Sequence, residues 1–239
     1  MQFVSQAASA TTSKKPRLHD TGLQIQHPFS KTSASVTKPV QSNSQYRLVK
    51  RIFDALTAAL LLVILSPIFL LVAVAVKVSS AGPVLFRQER LTEGGQRFQL
   101  IKFRSMVINA EEASGARFAV RHDPRVTPIG QFLRKTRLDE LPQLINVLMG
   151  DMSLIGPRPE RPELAQQFTQ TIRRFPQRLS TKAGITGLAQ VIQGYPDDVK
   201  GYRRKLGLDL LYIRNQSFLL DMWIALRTIG VIISGLGAR

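Results

Sequence analysis

The densest run of reactive side chains is Leu133-Arg134-Lys135-Thr136-Arg137-Leu138-Asp139-Glu140-Leu141-Pro142, in which three basic residues lead into two adjacent carboxylates. Consecutive residues of a helix point about 100° apart. Asp139 and Glu140 therefore cannot flank one bond as a glycosidase pair does. They suit a division of labour: one carboxylate attacks or positions, and the other holds a divalent cation. Oxygen-ligated Mg²⁺ is commonly held by one or two carboxylates together with substrate phosphates. Acids in a first turn also complement a helix dipole, and the local sequence leaves both readings open.

A second constellation is Ser153-Leu154-Ile155-Gly156-Pro157-Arg158-Pro159-Glu160, where two prolines fix the backbone around one arginine. A guanidinium presented rigidly can grip phosphate through two parallel bonds; a solvated turn arginine is the plain alternative. Lys102 and Arg104 stand two apart on a strand-like segment. They share a face, suited to a diphosphate or to a solvated edge. The sequence has no Walker loop, G-x-G-x-x-G, H-E-x-x-H or G-x-S-x-G.

These residues belong to a chain of 239 residues, 44% of them hydrophobic, enough to pack a core. Cysteine is absent, which excludes a disulfide scaffold, a thiolate metal site and a cysteine nucleophile. His19, His27 and His122 are too few for a histidine metal cage. The formal charge is +17, from 33 Lys+Arg against 16 Asp+Glu. That balance points to polyanions: nucleic acid, anionic lipid or phosphorylated substrates. Aromatics are 7% and show no nucleic-acid-binding motif, so no nucleic-acid partner is expected.

Three regions follow from patterning. Residues 1–46 are polar and basic and read as a disordered tail without a secretory signal. Residues 1–51 hold eight basic residues and one acidic residue, net +7; the remainder holds 25 and 15, net +10. Residues 47–77 are expected to form a membrane-inserted region, with a buried core helix disfavoured by its length. Its uncharged stretch Ala55–Val76 is 22 residues long, about 33 Å of helix against about 30 Å of bilayer hydrocarbon. Ser66-Pro67 interrupts it, and basic residues flank both ends: Arg47, Lys50 and Arg51 before, Lys77, Arg87 and Arg90 after. A helix broken at Pro67 that enters and leaves by one face keeps both clusters cytoplasmic. A kinked span is the alternative.

Residues 78–239 form the chemical domain. The pattern predicts strands at 84–88 and 97–103 around a loop, a short helix at 106–113, and a helix capped by Thr127-Pro128 running to Lys135. Next come a helix from Leu138 to Met149 with Gly150 as its stop, a loop at 153–162, a helix at 162–175 and a strand-like 185–192. Helices at 197–214 and 217–234 complete the chain. The expected fold is α+β, mainly helical, with a small antiparallel hairpin, one proline-broken re-entrant helix and amphipathic interfacial helices.

Taken in order, these segments resemble the small monotopic phosphoglycosyltransferases, the bacterial sugar transferase family, over about residues 50–235. The resemblance rests on ordered blocks. They are Lys50-Arg51-Ile52-Phe53-Asp54 with Ser66-Pro67; Gly82-Pro83-Val84 with Arg87-Gln88; Lys102-Phe103-Arg104-Ser105-Met106; and Asp123-Pro124-Arg125-Val126-Thr127. Further along stand Leu133 to Leu144, Asn146-Val147-Leu148, Gly150-Asp151-Met152-Ser153, Gly156-Pro157-Arg158-Pro159, Gly184-Ile185-Thr186-Gly187, and Asp209 with Tyr212.

The resemblance implies transfer of a phosphosugar from a UDP-sugar to a polyprenyl (undecaprenyl) phosphate, giving polyprenyl-diphosphosugar and UMP. This is the first membrane step of exopolysaccharide, capsule or O-antigen-type assembly. It implies Asp139 as nucleophile, through a covalent acyl-phosphate, and Glu140 as ligand of Mg²⁺. It assigns Arg158, Lys102, Arg104 and Arg134 to phosphate, with Asp209 a further candidate. It also implies a re-entrant break at Ser66 and Pro67, and a place on the cytoplasmic face of the bacterial inner membrane among anionic lipids. A homodimer stays open. Ala183, Leu188, Gln216 and Thr92 depart from the family pattern, where Pro, Trp, Trp and Gly are common. Sugar identity is therefore left unassigned.

Overall fold

Two helices lead into the described part of the chain, α1 (Ser44–Ile64) and α2 (Ser66–Ser79), and they bend by 64° at their junction. The computed structural model describes residues 44–110, 123–194 and 199–234. Most of the expected tail and residues 111–113 of the expected helix at 106–113 lie outside them. The bend has a local cause. Pro67 has no N–H to give the carbonyl of Val63, and the Ser66 hydroxyl donates to that carbonyl instead, at 2.8 Å. Helical bonding resumes on either side, from Leu65 N to Leu61 O and from Phe69 N to Leu65 O. Among the described residues no single helix is long and apolar enough to cross a membrane; the bent pair meets the length and composition test together.

A hairpin follows. β1 (Leu85–Leu91) pairs antiparallel with β2 (Arg97–Phe103), in register from Leu85 opposite Phe103 to Leu91 opposite Arg97. β2 carries two packing surfaces. Phe98 and Leu100 join Ala58 of α1 with Leu144, Val147 and Met152 in one core cluster. Phe103 joins Val72 and Val76 of α2 and Leu133 in another. The bent helix pair thus forms one wall of both cores.

α3 (Pro128–Thr136) begins as its cap residues require: the Thr127 hydroxyl accepts from Gly130 N at 3.0 Å, and Pro128 takes the first turn. Gly130 lies against the end of β2, where an added Cβ would fall 1.9 Å from Ser105 O. The helix ends at Arg137, which is left-handed (φ 62°) although not glycine. A 3-10 turn, Leu138–Glu140, comes next, then α4 (Gln143–Met149). The single helix expected over 138–149 is thus two pieces, because Pro142 cannot donate back to the Leu138 carbonyl. Gly150 (φ 94°) terminates α4 as expected.

β3 (Met152–Ile155) pairs in parallel with β4 (Ala183–Thr186), a second two-stranded sheet not anticipated. The loop expected over 153–162 therefore starts only at Gly156. Between these strands lie α5 (Pro162–Thr171) and a 3-10 segment, Phe175–Ser180; after them come α6 (Leu188–Ile192), α7 (Val199–Arg214) and α8 (Phe218–Ser234). The strand-like 185–192 is in fact the end of β4 and α6, separated by extended Gly187. Met106, expected in a helix, forms an isolated antiparallel bridge with Val126 instead. α8 turns Asp221 and Ile224 inward and exposes Leu219, Leu226 and Ile233. The chain is mainly helical with a small antiparallel sheet, as expected.

Candidate active site

Asp139 and Glu140 sit on the 3-10 turn between α3 and α4. Asn146 fixes that turn against β2. It is fully buried; its Oδ1 accepts from Ile101 N at 2.9 Å and its Nδ2 donates to Gln99 O at 2.8 Å. One helix side chain thus satisfies the strand edge as a third strand would, and it brings α4 alongside the strand that carries Lys102. The left-handed Arg137 makes the sharp turn possible. A non-glycine residue in that region costs about 1–3 kcal/mol, and the strain sits two residues before Asp139.

The two carboxylates have different surroundings. Glu140 is gripped by Arg158, whose Nη2 donates to Oε1 at 2.6 Å and Nη1 to Oε2 at 3.3 Å. Burial works to raise the Glu140 pKa, but Arg158, Arg137 and Lys102 outweigh it and hold it below the ordinary value. Asp139 is 7% exposed. Among the described residues its carboxylate makes no hydrogen bond and no ion pair. Burial, then repulsion from Glu140, push its pKa up to about 6, against the pull of Lys102, Arg134 and Arg158. Lys102 is half-buried, with its ammonium 5.2 Å from the Phe86 ring centre. Burial lowers its pKa to about 8, with Asp139 acting the other way.

The structure therefore brings Asp139, Glu140, Lys102, Arg134 and Arg158 into one electrostatic neighbourhood. Arg104 does not join them. β2 ends at Phe103, so strand alternation no longer aligns Arg104 with Lys102. Its buried guanidinium turns to the exit of α2, donating to the carbonyls of Ser80 (2.8 Å), Val76 (3.4 Å) and Ala81. A cation there satisfies a helix C-terminus.

Asp209 also stands apart from the dyad. It is buried and accepts from Arg178, Nε at 3.0 Å and Nη2 at 2.8 Å. Arg178 and Lys205 both donate to Glu160 Oε1, at 3.1 and 2.5 Å. These four charges sum to zero. Burial would raise the Glu160 pKa, but Lys205 and Arg178 outweigh it and hold the carboxylate at about 2. Sequence reading missed Arg178 and Lys205. A signal existed for Lys205: it shares one face of α7 with Tyr202, Leu206 and Asp209, so two charges fall in phase with the buried stripe.

Among the described residues no three of His, Cys, Asp or Glu form a metal cluster. Mg²⁺ needs only one or two carboxylates when phosphates complete its shell. Glu140 meets that requirement, since a carboxylate has about four acceptor sites and Arg158 occupies two.

Two unequal carboxylates beside Lys102, Arg134 and Arg158, and an apolar bent helix pair, thus stand on one chain. The chain belongs to the bacterial sugar transferase family, whose model matches residues 45–235. It is 46% identical over 194 residues to a UDP-N-acetylgalactosamine-undecaprenyl-phosphate N-acetylgalactosaminephosphotransferase of Aeromonas hydrophila, covering 81% of this chain and 46% of that protein. It is 43% identical to a UDP-glucose:undecaprenyl-phosphate glucose-1-phosphate transferase of Escherichia coli (strain K12), covering 77% of this chain and 40% of that protein. An exopolysaccharide production protein of Rhizobium leguminosarum bv. phaseoli is 38% identical, with 76% of this chain and 94% of that protein covered. The chain thus spans under half the length of the first two relatives and nearly all of the third.

Proposed function

We propose that this chain transfers a phosphosugar from a UDP-sugar to undecaprenyl phosphate, through a phosphorylated Asp139. The observation that carries the reading is the unequal dyad: Glu140 is held by Arg158, while the Asp139 carboxylate has no hydrogen-bond or ion-pair partner among the described residues. A carboxylate attacks phosphorus without a general base. With a pKa near 6, Asp139 is about nine-tenths ionised at pH 7.

An Asp139 oxygen attacks the β-phosphorus of the donor, forming an acyl-phosphate O–P bond. The bond to the bridging oxygen breaks, and UMP leaves with that electron pair. A phosphate oxygen of the polyprenyl acceptor then attacks the same phosphorus, forming the new diphosphate and restoring the Asp139 carboxylate. Arg158 and Lys102 offset the donor charge that otherwise repels Asp139. Glu140 would hold a Mg²⁺ ion, which would supply further positive charge at the diphosphate.

Two steps let a water-soluble donor and a membrane-bound acceptor use one site in turn. The 64° bend at Ser66-Pro67, with basic residues at both ends, supports a re-entrant seat on the cytoplasmic face of the bacterial inner membrane. The relatives' names support the donor and acceptor classes.

The test is UMP release by purified protein in nanodiscs from a panel of UDP-sugars, with undecaprenyl phosphate and Mg²⁺. Release from one sugar, abolished by Asp139→Asn, is expected. Full release by Asp139→Asn would reject the nucleophile; no release from any sugar would reject the function.

A further inference from the structure

The loop that presents Arg158 is held by its main chain. Every carbonyl from Pro157 to Glu160 accepts a hydrogen bond. Gly184 N donates to Pro157 O at 2.9 Å, Arg178 Nη2 to Arg158 O at 2.9 Å, Arg90 Nη1 to Pro159 O at 3.2 Å, and Leu91 N to Glu160 O at 3.0 Å. Of these donors, Arg178 alone also binds a side chain of the loop, the Glu160 carboxylate. It therefore grips the loop at residues 158 and 160. Its own orientation is fixed on the far side by Asp209, and Lys205 holds Glu160 from a second direction.

We infer that Arg178 is a positioning residue for Arg158: it sets where the Arg158 guanidinium stands over Glu140 and over the donor diphosphate, without touching either. This rests on the reading of the site given above. Arg178 is 4% exposed, and its guanidinium is engaged by Asp209, Glu160 and the Arg158 carbonyl. A fixed charge at a reacting centre needs no reorganisation as charge develops. A displacement of about 1 Å there can cost about 100-fold in rate. Lysine at this position keeps the charge. It cannot span Asp209, Glu160 and the Arg158 carbonyl with the planar fork that guanidinium provides.

Two measurements on the full chain in nanodiscs test the inference. One is a kinetic cycle on UMP release. Arg178→Lys is expected to lower kcat/KM by about 10- to 100-fold in the native background. It should lower it less than 3-fold in an Arg158→Lys background, because there is no longer an Arg158 to misplace. Equal losses in both backgrounds would overturn the inference. The other needs no activity. Glu140→Gln lowers the apparent Tm by removing Arg158's partner, and that drop should at least halve in the Arg178→Lys background. It should persist in Ile224→Ala, a core change in α8 that removes none of the loop's four carbonyl hydrogen bonds. An unchanged drop in Arg178→Lys, or the same halving in Ile224→Ala, would overturn the positioning role. If the native protein releases UMP from no donor, the transferase reading fails while the thermal cycle still decides this one. Should Arg178→Lys not fold, Glu160→Gln removes one of the two grips and carries the same cycles.

Discussion

Replacing the proposed nucleophile should make the protein more stable. Asp139 has a folded pKa near 6 against an ordinary value of 3.8, with burial the leading cause and Glu140 the next. The shift is about two units, or about 3 kcal/mol at about 1.4 kcal/mol per unit. The sign follows from proton binding. Between pH 3.8 and 6 the folded protein holds the Asp139 proton more tightly than the unfolded chain. Stability therefore falls as pH rises through that window, and the full cost is present above pH 6. Asparagine keeps the shape and removes the charge. Relaxation and water entry relieve part of any burial cost, so the gain at pH 7.5 should be about 1–3 kcal/mol. For a chain of this size that raises Tm by roughly 2–12 °C. The assay is thermal unfolding of native and Asp139→Asn protein from pH 7.5 down to pH 4. The variant should melt higher at pH 7.5, and the gap should close toward pH 4. A variant that melts lower at pH 7.5, or a gap independent of pH, would refute the electrostatic account of the dyad.

Three further outcomes are expected. kcat/KM should rise with pH through about 6 as Asp139 ionises and fall through about 8 as Lys102 loses its proton; a profile flat from pH 5 to 9 would remove both assignments. Gly130→Ala would place a methyl 1.9 Å from the Ser105 carbonyl oxygen, so α3 must move off the end of β2; a loss of at least ~2 kcal/mol is expected in chemical unfolding, and a native-like midpoint would contradict the packing. Pro67→Ala returns an N–H to the Val63 carbonyl and should relax the 64° bend. With single cysteines at Ser44 and Ala81, the native background should label at both from the cytoplasmic side, and in Pro67→Ala the loss of the bend should pull Val72 and Val76 from Phe103 and Leu133 and lower Tm. Opposite-side labelling in the native background would mean a true span.

What the sequence made legible was whatever a single segment decides. Thr127-Pro128 announced a helix start and Gly150 a helix end, because caps are local hydrogen-bond problems. Pro67 marked the break between α1 and α2 for the same reason. The β3–β4 pairing was hidden because a parallel pair is closed by distant chain, here Met152 against Ala183. Its four-residue strands are also too short to show a period. Of the site, Asp139, Glu140, Lys102, Arg134 and Arg158 do come together. Arg104 was misplaced because alternation was carried one residue past the end of β2. Asp209 entered only through the resemblance, as a further candidate; a lone carboxylate gives no hint that Arg178, 31 residues away, binds it.

The wall that α1 and α2 contribute to the cores decides how this protein can be cut. A truncation beginning at residue 78 would strip Ala58, Val72 and Val76 from the two clusters and expose Phe98, Leu144, Val147, Phe103 and Leu133. It would also remove Arg51, which donates to the Val147 and Leu148 carbonyls, and Asp54, which accepts from Ser153. α4, behind the dyad, and β3, leading to the Arg158 loop, would each lose a support. A water-soluble catalytic fragment is therefore not obtained by trimming.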